Sequence, residues 1–383
     1  MKEDKMPEFL ELIEGWEGYS PIGRAKLNEA AISSALNLLM NTDRLPTHRW
    51  EYLMKEAITT SDFPYLFGGI LDRELLARYT MVVPDWKSYV KVGSCKDFRQ
   101  REMHKVQGNE TLLPEVKEKG EYLVAPMSDA HYHIQVYKRG RQFDISWESL
   151  INDDLGAFND IPSRFSNACI YTEAYVATNQ IAVAAGPNPL LFGGAIADVD
   201  GQVINNQGAL ALTIANLEAT LGLMALQTDV LGRPLGIQGK HLVVPPRQEF
   251  TARAILTSAL KQWTEVGGGA GVPVPTTNII PQLGIQLHVN PLLPVVDASG
   301  NRNGTWYVFA DPADGVAIEY DYLLGHESPE VCMKSSDKVS VTGGAPVGPF
   351  EGDFASDNVF YRVRLCGGAA PRDPRFAYAQ VTA

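Results

Sequence analysis

Residues 85–147 constrain this chain more than any other stretch. In "HYHIQVY" (131–137) His131, His133 and Gln135 alternate with Tyr132, Ile134 and Val136, the period-two pattern of a strand with one wet face and one buried face. "KRGR" (138–141) interrupts the run, with Gly140 able to take a positive φ. "QFDISW" (142–147) then resumes the alternation with Phe143, Ile145 and Trp147 on one face. The pattern predicts a hairpin whose tip is basic. The preceding segment, "CKDFRQREMHKVQGNETLLPEVKEKGE", is highly polar and too long for a loop of a compact domain unless it has a job of its own.

The segment after the hairpin raises a chemical question. "ISWESLINDDLGAF" (145–158) carries Asp153 and Asp154 side by side. Neighbouring residues diverge by about 100° on a helix and point to opposite faces of a strand, so the two carboxylates do not converge on one metal or one proton. Asn152 and Asp153 instead suit an N-cap where a strand gives way to a helix. That helix is expected to run through residues 154–185 with an interruption at "NDIPS" and to end at Gly186-Pro187-Asn188-Pro189, a domain boundary.

Elsewhere the pattern alternates between helix and strand. Residues 1–57 hold two helical stretches separated by Pro21-Ile22-Gly23, and Ser61 or Asp62 can cap a third. Beyond residue 187, "GALALTIANLEATLGLMALQ" predicts a long amphipathic helix and "HLVVPP" a buried strand. "RQEFTARAILTSALKQW" predicts a second helix leading into a glycine-rich loop, Gly267 to Gly271. "LGIQLHVN", "GTWYVFAD", "VAIEYDYLL" and "NVFYRVRLC" are β-prone, and an irregular tail closes the chain.

Composition narrows the function. A net charge of −12 disfavours a protein that coats or reads nucleic acid. No run approaches the roughly 20 apolar residues that cross a bilayer, and no secretory signal is visible. The four cysteines, Cys95, Cys169, Cys332 and Cys366, form no CxxC pair and fit free thiols. His131 and His133 share a strand face, an arrangement zinc sites use, but no HExxH or nearby Cys completes a ligand set. The GGGAG stretch lacks the Lys-Ser/Thr and the succeeding helix of a phosphate loop. Lys138, Arg139 and Arg141 are too few for a nucleic-acid groove, and are expected to dock on an acidic neighbour.

Several of these segments, taken in order, resemble a known family. "TTSDFPYLFGGILDRELL", the hairpin ending "ISWESLINDDLGAF", "LTIANLEATLGLMALQ" with "KHLVVPPRQEFTARAIL", and "GVAIEYDYLLGHESPEV" are similar to tailed-bacteriophage major capsid proteins of the Mu-like major head subunit type. The resemblance covers roughly residues 46–366. It implies an α+β chain with the Hong Kong 97-type fold: an N-terminal arm (1–57), the start of a peripheral P-domain (58–87), an extended E-loop (88–146), the P-domain spine helix (147–186), an axial A-domain (187–316), P-domain strands (317–366) and a C-terminal tail (367–383). Asn152 and Asp153 would then cap the junction of E-loop and spine helix, and Lys138, Arg139 and Arg141 would lie on a neighbouring subunit.

The implied function is a shell subunit that assembles with itself, as hexamers and pentamers, around double-stranded DNA. It has no catalytic residue, cofactor or metal and no membrane. Portal, scaffold or prohead protease, and a decoration protein, would be partners, with assembly in the host cytoplasm and a final place in the virion. Relatives often carry a cleaved N-terminal segment, of which a chain beginning at Met1 gives no sign, and the Lys–Asn pair through which some relatives crosslink is not assignable. A cellular nanocompartment shell of the same fold and a metal-dependent hydrolase using His131 and His133 stand as alternatives.

Overall fold

Among the described residues two five-stranded sheets carry the fold, built from the β-branched and aromatic runs of the sequence. The computed structural model describes residues 75–77, 79, 80, 84–107, 115, 116, 128–146, 155–230, 232–263, 274–334, 337, 354–356 and 358–382. The expected helices of residues 1–57, the cap at Ser61 or Asp62, the cap at Asn152 and Asp153, and the loop 267–271 lie outside these residues.

The first sheet contains β1 (Lys91–Cys95), β4 (Tyr137–Ser146), β15 (Ile318–Leu323), β16 (Glu330–Met333) and β17 (Asn358–Pro371). β1 runs parallel to β15, β15 and β16 flank β17 antiparallel, and β4 also pairs with β17. Every residue of β15 is buried. Ile318, Tyr320 and Tyr322 join a core with Ala177 and Ile181 of the long helix α1 (Leu155–Ile181), and the period of two puts Glu319 and Asp321 on the opposite face.

α1 runs without a break through "NDIPS". The expected interruption does not occur: Pro162 removes one N–H donor near the start of a helix long enough to continue past it. The helix ends where Asn188 takes over its open carbonyls. The Asn188 amide N–H donates to Ile181 O at 2.9 Å, and its side-chain Nδ2 donates to Gln180 O at 2.9 Å. Gly186, at φ 124°, opens β6 (Gly186–Pro187) directly after the two-residue turn that follows β5 (Ala182–Val183).

A small hairpin, β7 (Ile196–Ala197) with β8 (Val203–Ile204), leads to the second sheet. Its strand order is β13 (Gln286–Val289), β10 (Gly239–Val244), β14 (Trp306–Ala310), β18 (Ala377–Gln380) and β9 (Gln207–Gly208). Helix α2 (Ile214–Ala225) packs on it and starts where the Thr213 side chain accepts from the Asn216 amide N–H. Helix α3 (Glu249–Thr257) is shorter than the amphipathic pattern suggests. Its expected last turn, "LKQW", is instead β11 (Leu260–Trp263), paired with β12 (Val274–Thr277). A single-turn helix, α4 (Leu293–Val296), comes after β13. The tail is less irregular than its composition suggests: β17 continues to Pro371, and β18 brings the end of the chain into the second sheet beside β14. One apolar core joins the sheets, with Val243, Tyr307, Phe309 and Ala379 from the second meeting Ile318 and Tyr320 from the first.

Candidate assembly site

The polar excursion leaves the first sheet as a hairpin of its own. β2 (Arg101–Gln107) pairs antiparallel with β3 (Ser128–Ile134), from Arg101 opposite Ile134 to Gln107 opposite Ser128. Neither strand pairs with any other among the described residues, so side chains set the attitude of this stem. Alternation sorts those side chains. Met103, Tyr132 and Ile134 are buried with Cys95, Val136, Leu323, Cys366 and Ala370, while Glu102, His104, His131 and His133 face solvent.

Arg101 and Lys105 share the buried face with Met103, and each enters a carboxylate socket. Arg101 Nη2 reaches Glu319 Oε1 at 3.0 Å and Asp321 Oδ2 at 2.7 Å. Arg372 holds the other Glu319 oxygen at 2.7 Å, and Cys95 Sγ donates to Asp321 Oδ2 at 2.9 Å. Burial pushes the Asp321 carboxyl above the usual carboxylate range and the Cys95 thiol up to about 12. Lys105 Nζ lies 2.8 Å from Asp198, 3.0 Å from Asp200 and 3.0 Å from Asp373. The Tyr132 hydroxyl donates to the other Asp198 oxygen at 2.8 Å. Arg375 closes this socket from below, with Nη2 and Nε on Asp373 at 2.5 and 2.8 Å. Burial pushes Asp373 up to about 7 against the pull of Lys105. The same socket holds the Lys105 ammonium above its ordinary value, because the aspartates outweigh burial's downward pull.

The basic cluster sits elsewhere than expected. Residues 131–136 and 142–147 do not form a hairpin around it: Lys138, Arg139 and Arg141 lie inside the continuous strand β4, against β17 of the same chain. Gly140 does not take a positive φ. It is required because a Cβ there would stand 2.5 Å from the Val363 carbonyl oxygen. Arg139 donates to Gly367 O at 2.5 Å and covers the Tyr137 ring, whereas Lys138 and Arg141 are exposed. His131 and His133 are where the alternation puts them, on the solvent face, with ring centroids 5.1 Å apart. Among the described residues no group of three or more His, Cys, Asp or Glu is arranged to hold a metal ion.

A family model described as phage capsid protein matches residues 132–380, well over half of the chain. The chain belongs to the phage capsid protein family. A capsid protein works by assembly with copies of itself, and the mixed α+β architecture is the one implied by the sequence resemblance. Similar solved structures include the mature capsid of bacteriophage PhiM1, 12% identical over 78% of this chain and 86% of that one, TM-score 0.46. Gordonia phage Cozz is 12% identical over 77% and 84%, TM-score 0.44. A virus-like particle from Pyrococcus furiosus is 11% identical over 82% and 99%, TM-score 0.42. No curated protein matches.

For this capsid protein, then, the residues that hold the excursion are Arg101, Lys105 and Tyr132 with their carboxylate partners. Composition alone makes their segment a polar loop. The alternation of Arg101, Met103 and Lys105 against Glu102 and His104 is a strand signal within it, but the partners lie far away, with Asp373 268 positions from Lys105.

Proposed function

We propose that this is the major head subunit of a tailed phage, of the Mu-like type, and that it encloses the double-stranded DNA genome with no catalytic role. The support is the β2–β3 stem: a two-stranded projection, paired with no other strand among the described residues, leads into a long polar excursion, which suits an E-loop laid on a neighbouring subunit. On this reading α1 is the spine helix, the first sheet belongs to the P-domain and the second to the A-domain. Portal, scaffold or prohead protease, and a decoration protein, are its partners in the host cytoplasm. The acidic chain suits a shell lining, because a strongly basic wall would grip packed DNA.

Electron microscopy of the purified protein, with and without nuclease, tests the reading. Closed shells of uniform diameter with nuclease-protected DNA are expected. Shells filled with protein would make it a nanocompartment, and discrete small oligomers under varied assembly conditions would overturn the shell altogether. The exposed Lys138 and Arg141 are the cations of β4 open to a neighbouring subunit, while Arg139 serves its own chain. The double reversal Lys138→Glu, Arg141→Glu is expected to leave the circular dichroism spectrum and thermal midpoint unchanged while shells fail to form. Normal shells from that variant would remove both residues from the interface.

A further inference from the structure

We propose that the β2–β3 stem is a pivoted strap, with the Arg101 socket as its pivot and the Lys105 socket as a latch that can open while the body stays folded. The geometry differs at the two ends. At the root, the chain enters and leaves the sheet through residues 96–100 and 135–136, and the Gln135 side chain donates to Phe98 O at 3.0 Å, tying entry to exit. Gly368 lets Gln135 sit so close that a Cβ there would stand 2.0 Å from its carbonyl oxygen. Arg101 lies at this end, and its carboxylates Glu319 and Asp321 belong to β15, at the centre of the first sheet. Releasing Arg101 would leave the buried Asp321 without its guanidinium and Glu319 with Arg372 alone.

Lys105 lies four residues further out, and its socket is built to survive its departure. Asp373 also accepts from the Arg375 amide N–H at 3.1 Å and from its guanidinium, and Asp200 accepts from the Gln202 amide N–H at 3.1 Å. Arg375, itself buried, keeps a cation within 3.4 Å of Asp198 and 3.6 Å of Asp200. The aspartates are therefore held in place by the body, and Lys105 and Tyr132 are the two stem residues that dock on them. Among the described residues the stem has no backbone ladder to the body, so its outer half has two discrete arrangements: Lys105 seated, or Lys105 in water. The seated state fixes the direction in which the excursion, with Glu102, His104, His131 and His133 on its wet face, leaves the subunit. The inference rests on the hairpin and its sockets and stands whether or not the shell encloses DNA.

Pulsed electron spin resonance on the full chain tests it. One spin label replaces Glu102 on the stem and one replaces Phe250 on α3, in a Cys332→Ser background, with labelled chains diluted among unlabelled ones so that distances within one chain are read. A second label pair, at Phe250 and Arg302, reports on the body. The chain with Lys105 intact is expected to give one narrow stem–body distance. Lys105→Met is expected to broaden and shift that distance while the Phe250–Arg302 distance stays as it was. Tyr132→Phe, which removes the hydroxyl's hydrogen bonds with Asp198 and Lys105 and keeps the ring, is expected to add a smaller displaced population. Arg101→Met is expected to lower the thermal midpoint of the whole body. An unchanged stem–body distance in Lys105→Met would overturn the latch, as would a body distance that broadens together with the stem's in both Lys105→Met and Tyr132→Phe.

Discussion

Gly140 serves a property of glycine that its sequence neighbourhood hides. Between two basic residues and inside an alternating run, glycine marks a turn by its tolerance of positive φ. Here the absence of a Cβ is what matters, because β17 passes 2.5 Å from where that atom would stand. Gly140→Ala is therefore expected to push β4 off β17 and to destabilise by about 1–3 kcal/mol, the usual range for overpacking. Chemical denaturation of the isolated subunit measures this. A variant as stable as the parent would mean that Val363 yields freely. Arg139 is a companion case. Charge groups it with Lys138 and Arg141, but the structure gives it a carbonyl of its own chain, and only backbone proximity, which is not written in the local sequence, separates the three.

At the scale of elements, period and apolar run length are legible in the sequence and partnership is not. Residues 131–136 have the burial their alternation demands, and the apolar run around Trp306 is a strand buried throughout, as continuous apolar runs in sheet interiors should be; β15 is buried on both faces as well, Glu319 and Asp321 included. The differences concern what an element pairs with or where it stops. Local alternation assigns β4 to the strand before it, yet β4 pairs with β17, more than two hundred residues later. Pro162 signals a break in α1, a local penalty that a long helix absorbs. The amphipathic pattern of α3 runs on into a segment that pairs with β12 as a strand. The stem sockets extend the pattern, since a polar strand reads as a loop when the carboxylates that fix it come from β15, from the turn after β7 and from the chain end. Arg101→Met tests the strength of that fixing. It leaves Glu319 with Arg372 alone and the buried Asp321 without its guanidinium; because the Arg101 side chain is 38% exposed, the cost falls below the about 3–5 kcal/mol of a fully buried pair. Thermal unfolding should show a lowered midpoint for the body as a whole. A midpoint equal to the parent's would mean that water reaches the socket and screens it.

At the scale of the whole molecule, the second sheet carries, beside the apolar core, a polar chain that runs from an exposed carboxylate to two buried histidines. Asp85, in the 3-10 turn that precedes β1, lies 2.6 Å from Nδ1 of His288 on β13, and Nε2 of His288 lies 2.9 Å from Nδ1 of His241 on β10. The Asp85 carboxylate can only accept, so the Nδ1–H of His288 donates to it. The other ring nitrogen of His241, Nε2, is buried and has no hydrogen-bond partner among the described residues. Tyr89 packs on both imidazoles and on Phe309, with Lys240 and Asp311 the other charged groups near His241. Burial, reinforced by His288, holds His241 below its ordinary value and keeps it neutral. In the unfolded chain the same histidine takes a proton near pH 6.5. The stability it contributes is therefore complete above about 6.5 and is lost as pH falls from there toward the lowered folded value. The denaturation midpoint of the parent should decline between pH 7.5 and 5.5 more steeply than that of His241→Gln, which cannot take up the proton. Parallel declines in the two proteins would show that acid acts elsewhere in the chain. A shallower slope in the variant would make this polar chain the point at which acid loosens the second sheet.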